Sequence, residues 1–314
     1  MNAFLKELTD LCAIQTQILF TLPAILLPQL KFLMTHLYKL QIEMDIKKIL
    51  VPTDFSNAAN NALLYAATIA EQYGAEIHIF HAFTIPVLTA RGNPVLTDPN
   101  VAQANRQIAE EMLEKTKKIV SGRNLIKLNS TAIPIYWQME LAEVIHHQQA
   151  DLIIMGTTGA SDLKKIFLGS NAARVIQISS RPVFAVPEQA KLSEHIKIGL
   201  AYDGLEIKEF GKLSIVNSLK NTLNASIYVF QIIEDKQSPS PYLSELINFL
   251  SGARKDYIYE SEIESAILKY IELNHLDILV MIPKPHGFIH NMINGSITKR
   301  IAYKIPVPLL AIPE

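Results

Sequence analysis

Gly156, Gly159, Gly169 and Ser170 follow one another at the spacing Gly-x2-Gly-x9-Gly-Ser. Glycine lets a backbone adopt positive φ and lets a ligand come close to peptide N–H groups. Successive N–H groups exposed in this way form a concavity that binds anions. A serine at the first turn of a helix adds a hydroxyl and the positive end of the helix dipole, so the chemistry on offer is the holding of phosphate oxygens. Pro52-Thr53-Asp54 ends an apolar run, and the Asp54 carboxylate can accept hydrogen bonds from a ribose or from an adenine edge. His81-Ala82-Phe83 ends a second apolar run. Met155 stands just before the first glycine, and Asn171 just after the serine. Together these segments read as a cradle for a nucleotide.

The surrounding pattern supplies the elements that would position them. Short apolar runs at 49–52, 76–83, 127–137, 152–155 and 183–186 read as strands. Stretches with helical spacing at 57–73, 101–120, 141–149 and 170–178 alternate with them, and Gly74 closes the first as a C-cap. Strands that alternate with helices imply parallel β-α-β units. Runs that are apolar throughout imply a sheet covered on both faces. In such sheets ligands bind beyond the carboxyl ends of the strands, which is where the cradle segments converge.

The unit occurs twice. Residues 151–188 and 277–314 are both 38 residues long and align without a gap, with Asp, Met, Gly-Ser, Arg, Pro and a final Pro-Glu in register. The strand ending in Asp54 has its counterpart in the one ending in Asp203. The second copy is shorter between Asp203 and Ile282 than the first between Asp54 and Gly156, which predicts loss of the loop and helix after its second strand. It keeps Gly295-Ser296 but carries Ile282 and Pro285 where the first copy has Gly156 and Gly159. Proline has no N–H to offer, and neither residue tolerates glycine conformations, so phosphate binding is expected in the first copy only. The fold expected is α/β: two tandem open, mostly parallel five-stranded sheets flanked by helices, Rossmann-like and of the adenine nucleotide α-hydrolase kind. The expected parts are an extension at 1–43, a first domain at 44–190 and a second at 195–314.

On these motifs the chain resembles the universal stress protein family in its tandem two-domain form. The family's Gly-x2-Gly-x9-Gly-Ser/Thr pattern falls on Gly156, Gly159, Gly169 and Ser170, and its aspartate after the first strand on Asp54. Its small apolar residue at the end of strand two, which touches adenine, falls on Ala82. The resemblance implies a site for ATP, with or without Mg, built from Pro52, Thr53, Asp54, Ala82, Met155, Gly156, Gly159, Gly169, Ser170 and Asn171. It implies a non-enzymatic stress-response regulator acting through an unidentified protein partner, with slow ATP hydrolysis at most. It also implies pairing through the last strand, either as a homodimer or between the two halves of one chain.

The remaining residues set limits. With 29 basic and 30 acidic residues, nothing argues for a nucleic-acid partner. The single cysteine, Cys12, excludes an intrachain disulfide and fits a reducing, cytoplasmic setting. Uncharged residues fill 11–30, about a membrane span in length, but Gln15, Gln17, Pro23, Pro28 and Gln29 interrupt them. An over-long start before Met44, a partner-packing extension and a membrane anchor all stand as readings, the anchor least favoured. His78 and His81 read as packed or hydrogen-bonded. His146 and His147 are expected to diverge on a helix, and His286 and His290 have zinc-like spacing but no third ligand. Lys164 and Lys165 lie inside the phosphate loop, as a solvated pair or as a γ-phosphate contact. An α-hydrolase-type enzyme and a scaffold that binds nothing are the competing classes. The Walker pattern and the Ser-Gly-Gly-x-Asp-Ser and His-x-Gly-His signatures are absent, which weighs against the enzyme.

Overall fold

The structure is a computed structural model. It describes residues 46–85, 88–90, 93–95, 99–123, 126–135, 141–157, 169–207, 209–233, 238–283 and 305–313. The extension 1–43, Cys12, Gly159, Lys164, Lys165, Pro285, His286, His290, Gly295 and Ser296 lie outside the described residues.

The first half comprises β1 (Lys48–Pro52), α1 (Asn57–Tyr73), β2 (Glu76–Thr84), the short strands β3 (Leu88–Ala90) and β4 (Asn93–Val95), α2 (Pro99–Lys117), β5 (Leu128–Ile135), α3 (Leu141–His146), β6 (Leu152–Gly156), α4 (Ser170–Ile178) and β7 (Val183–Val186). The second half comprises β8 (Lys197–Tyr202), α5 (Ser214–Thr222), β9 (Ser226–Ile233), α6 (Leu243–Phe249), β10 (Arg254–Tyr259), α7 (Ile263–Asn274), β11 (Ile278–Met281) and β12 (Leu309–Ala311). The predicted shortening is here: α6 has 7 residues where α2 has 19, so the helix is kept but cut down.

All but β3 and β4 join one ten-stranded sheet in the order β10-β9-β8-β11-β12-β7-β6-β1-β2-β5. Within each half the strands run parallel and follow the same spatial order. The halves meet where β12 pairs antiparallel with β7, Leu310 opposite Phe184. Each face of the sheet carries a continuous apolar layer spanning both halves. One is built with α1, α2, α5 and α6, the other with α3, α4 and α7. Phe80, Phe184 and Phe230 are among the largest side chains fully buried in them, each worth about 2–3 kcal/mol of burial.

Local signals fix the elements around the first strand. The Ser56 hydroxyl accepts the Ala59 N–H at 3.2 Å and starts α1. Gly74, at φ 65°, ends it in the left-handed region. The aspartates that open the two long repeats have a structural task. Asp151 accepts the backbone N–H groups of Lys47 and Lys48, both at 2.9 Å, and so anchors the start of β1. Asp277 accepts the Lys197 N–H at 2.8 Å and the Ser193 hydroxyl, and anchors β8 likewise. Hydrogen bonds to a charged acceptor contribute roughly 1.5–3 kcal/mol each.

Candidate nucleotide site

The order of the first half, β5-β2-β1-β6-β7, reverses direction between β1 and β6. That switch point leaves a crevice beyond the strand ends, where open α/β sheets bind ligands. A cavity of about 610 Å³ lies there. Pro52, Thr53 and Asp54 line it from β1, Ala82 from β2, Met155 and Gly156 from β6, and Gly169, Ser170 and Asn171 from the start of α4. Nine of the ten residues expected from the sequence thus come together, and Gly159 falls outside the described residues. Phe80, Ile135, Leu141 and Ala172 add an apolar lining that the motif did not announce.

One polar side of the cavity is set by α4. Gly169 occupies its N-cap position and offers no side-chain cap, so the first N–H groups of the helix open toward the cavity beside the exposed Ser170 and Asn171. Thr157 faces the same place. Its N–H donates to Val186 O at 3.1 Å, and its carbonyl accepts the Gly169 N–H, tying the two ends of the loop together. The Thr157 hydroxyl is buried, with no hydrogen-bond partner among the described residues. Of the three buried side-chain atoms in that condition among the described residues, the others being on Tyr65 and His78, only Thr157 lines the cavity. A buried hydroxyl left without a partner costs about 1–3 kcal/mol. The glycine motif gives Thr157 no role of its own. Its position directly after the first glycine was the available signal.

Gly156 has a second reason to be glycine. A Cβ there would lie 2.8 Å from Ala58 C and Ala59 N, inside the backbone of α1. The close approach of β6 to α1 therefore demands glycine whether or not a ligand is bound.

The turn after β1 is locked from several sides. The Thr53 hydroxyl accepts the Phe55 N–H at 3.0 Å, and the Asp54 carboxylate accepts the Ser56 N–H at 3.0 Å. The helix cap is Ser56 rather than Asp54, which leaves the exposed Asp54 carboxylate with acceptor capacity toward the cavity. Phe55 sits at φ 65°, a costly conformation for a residue with a bulky side chain. Its ring lies against the His81 ring with centroids 4.3 Å apart, while His81 Nδ1 contacts Thr53 O at 2.8 Å. His78 is half-buried and desolvation holds its imidazole below the usual pKa range. His146 and His147 do not diverge as expected. Helix α3 ends at His146, so helical geometry does not separate them, and their rings meet edge-on at 5.7 Å.

The family model of the universal stress protein family matches residues 45–187. A universal stress protein of Methanocaldococcus jannaschii is 32% identical over 148 residues, covering 46% of this chain and 84% of the relative. The chain belongs to the universal stress protein family. A universal stress protein of Synechocystis aligns with both halves, at 24% identity over 288 residues that cover 84% of this chain and 99% of the relative. A solved universal stress protein from Archaeoglobus fulgidus shares the fold, with a TM-score of 0.64 and 20% identity over 87% of this chain and 98% of that one.

In this universal stress protein the second half keeps Asp203, Phe230 and Met281 at the positions of Asp54, Phe80 and Met155 but departs from the first at others. Ala201 pairs with Phe230 as Pro52 pairs with Phe80, which puts Ile232 in the place of Ala82. Ile282 replaces Gly156. The Phe230 ring is covered by Tyr270, with centroids 4.1 Å apart and planes 25° from parallel. Among the described residues, no group of three or more His, Cys, Asp and Glu side chains gathers to hold a metal, and no helix is long and apolar enough to cross a membrane.

Proposed function

We propose that this universal stress protein binds one ATP, or a similar adenine nucleotide, per chain in the crevice between β1 and β6. On this reading the chain divides into a nucleotide-binding domain at 44–190 and a degenerate one at 195–314. The phosphates rest on the start of α4 and the Thr157 hydroxyl, the ribose lies beside Asp54, and the base lies against Ala82, Phe80 and Leu141. The carrying observation is the uncapped start of α4, which opens together with an orphaned buried hydroxyl into one cavity. Hydrogen-bond donors and a helix dipole aimed at the same point favour an anion.

The role that follows is regulatory, in a stress response, acting in the cytoplasm through a protein partner. Asp54 is the one carboxylate among the described lining residues, so no pair of carboxylates is at hand for acid–base work or for holding a metal. Any Mg would arrive with the phosphates, and hydrolysis would be slow. Calorimetric titration of the full chain with ATP, AMP and GTP tests this. Expected are one ATP per chain, weaker AMP binding, and a loss of ATP affinity in Ser170→Asp that leaves adenosine binding unchanged. Absence of ATP binding, or equal ATP affinity in Ser170→Asp, overturns the reading.

A further inference from the structure

Helix α2 carries two apolar seams where a surface helix needs one. Ala109, Leu113, Thr116 and Val120, the last in the 3₁₀ turn that continues the helix, are buried against the sheet. A second set faces outward: Val101 is 40% exposed, Ile108 57%, Met112 36% and Ile119 39%. With Asn105 and Lys115 these positions alternate steps of four and three, the spacing by which helices pair in coiled coils. The seam runs along a groove of about 410 Å³ between α1 and α2. Phe55 and Asn60 lie in its floor, so the groove begins one residue from Asp54.

We propose that this outer seam is a self-association surface, on which two copies of the chain meet with their α2 helices antiparallel. The sequence of the seam is complementary to itself about Glu110. Val101 then faces the second copy's Ile119, and Ile108 faces the second copy's Met112. Asn105 faces the second copy's Lys115, an amide oxygen opposite an ammonium. Parallel pairing would instead set Lys115 against Lys115 at a desolvated position. A twofold axis requires such self-complementarity, whereas an unrelated partner does not. The 19-residue helix is about 28 Å long, which makes a small interface and a dissociation constant on the order of micromolar.

Sedimentation velocity of the full chain across about 1 to 300 µM tests the proposal, since that range brackets the affinity expected. The expected result is a concentration-dependent monomer–dimer equilibrium. Ile108→Lys should raise the dissociation constant on the order of 100-fold with no change in the thermal midpoint, since the side chain is exposed in the monomer. Asn105→Asp should tighten the dimer about three- to tenfold by facing a carboxylate to Lys115. A monomer at every concentration, or a dimer indifferent to Ile108→Lys, overturns the proposal. Weakening by Asn105→Asp overturns the antiparallel pairing. Should Ile108→Lys perturb folding, Asn105→Asp still reads the interface.

Discussion

The two halves of the sheet share one strand order and one pair of apolar layers, yet among the described residues they differ at the carboxyl ends of their strands. The difference lies in a few side chains. At the end of strand two the first half has Ala82 and the second Ile232. After strand four the first has Gly156 and the second Ile282. Over the conserved phenylalanine the first has cavity, where the second has the ring of Tyr270. The second half also carries polar contacts of its own at this end of the sheet. The Tyr202 hydroxyl donates to Leu205 O at 2.8 Å, the Ser240 hydroxyl to Gly204 O at 2.7 Å, and the Ser240 N–H to Gln231 Oε1 at 3.0 Å. A duplicated framework thus keeps its packing in both copies, while the described strand ends of the second carry larger side chains and further hydrogen bonds.

The strongest way to break the comparison is Gly156→Val. In the first half this clashes with the α1 backbone, because α1 starts at Asn57, directly after the Asp54 turn. In the second half the equivalent residue is Ile282, and helix α5 starts only at Ser214. The variant should lose about 3 kcal/mol or more in chemical denaturation, with nucleotide binding lost alongside. Ala82→Ile comes next, since it copies the second half into the first. It should weaken ATP binding on the order of 100-fold, read by calorimetry, while the denaturation midpoint moves little. Retained affinity would mean that the base does not lie against Ala82.

A smaller effect is expected at the turn after the first strand of each half. Phe55 and Gly204 occupy equivalent positions, at φ 65° and φ 82° respectively. Gly204→Ala should cost about 1–2 kcal/mol, since a left-handed residue gains a Cβ that meets Gln231 Nε2 at 2.7 Å. Thermal unfolding reads this directly. The first half tolerates the same geometry with a phenylalanine because the His81 ring and the Thr53 and Asp54 side chains hold the turn.

Much of this was legible in the sequence. Helix α1 runs from Asn57 to the residue before Gly74 because its alanine spacing, serine cap and glycine stop are all local signals. The starts of α4 and β7 were legible for similar reasons, and the glycine spacing located the cavity. Contacts between distant segments were not. Nothing local says that a Cβ at Gly156 would strike Ala58, or that β7 and β12 pair within one chain rather than between two chains. The left-handed Phe55 was hidden too, because a phenylalanine signals a buried or strand position and not a turn. Thr157 reads as one more residue of a glycine loop until the partners of its N–H and carbonyl are known, and only then does its hydroxyl stand out.

That hydroxyl gives the finest test of what the cavity of the first half holds. Thr157→Val keeps the shape of the side chain and removes the oxygen. If the hydroxyl has no partner beyond the chain, its removal relieves a buried unsatisfied group and stabilises the fold by about 1 kcal/mol, with no further consequence. If it serves a ligand, the same substitution should stabilise the free protein and weaken ATP binding about tenfold, a separation of stability from function typical of binding sites. The two effects are read on one sample, by thermal unfolding without nucleotide and by calorimetry with it. A more stable variant with full ATP affinity would remove Thr157 from the site and leave the α4 N-terminus as its anion-binding element. A less stable variant would mean that the hydroxyl is satisfied in the free protein.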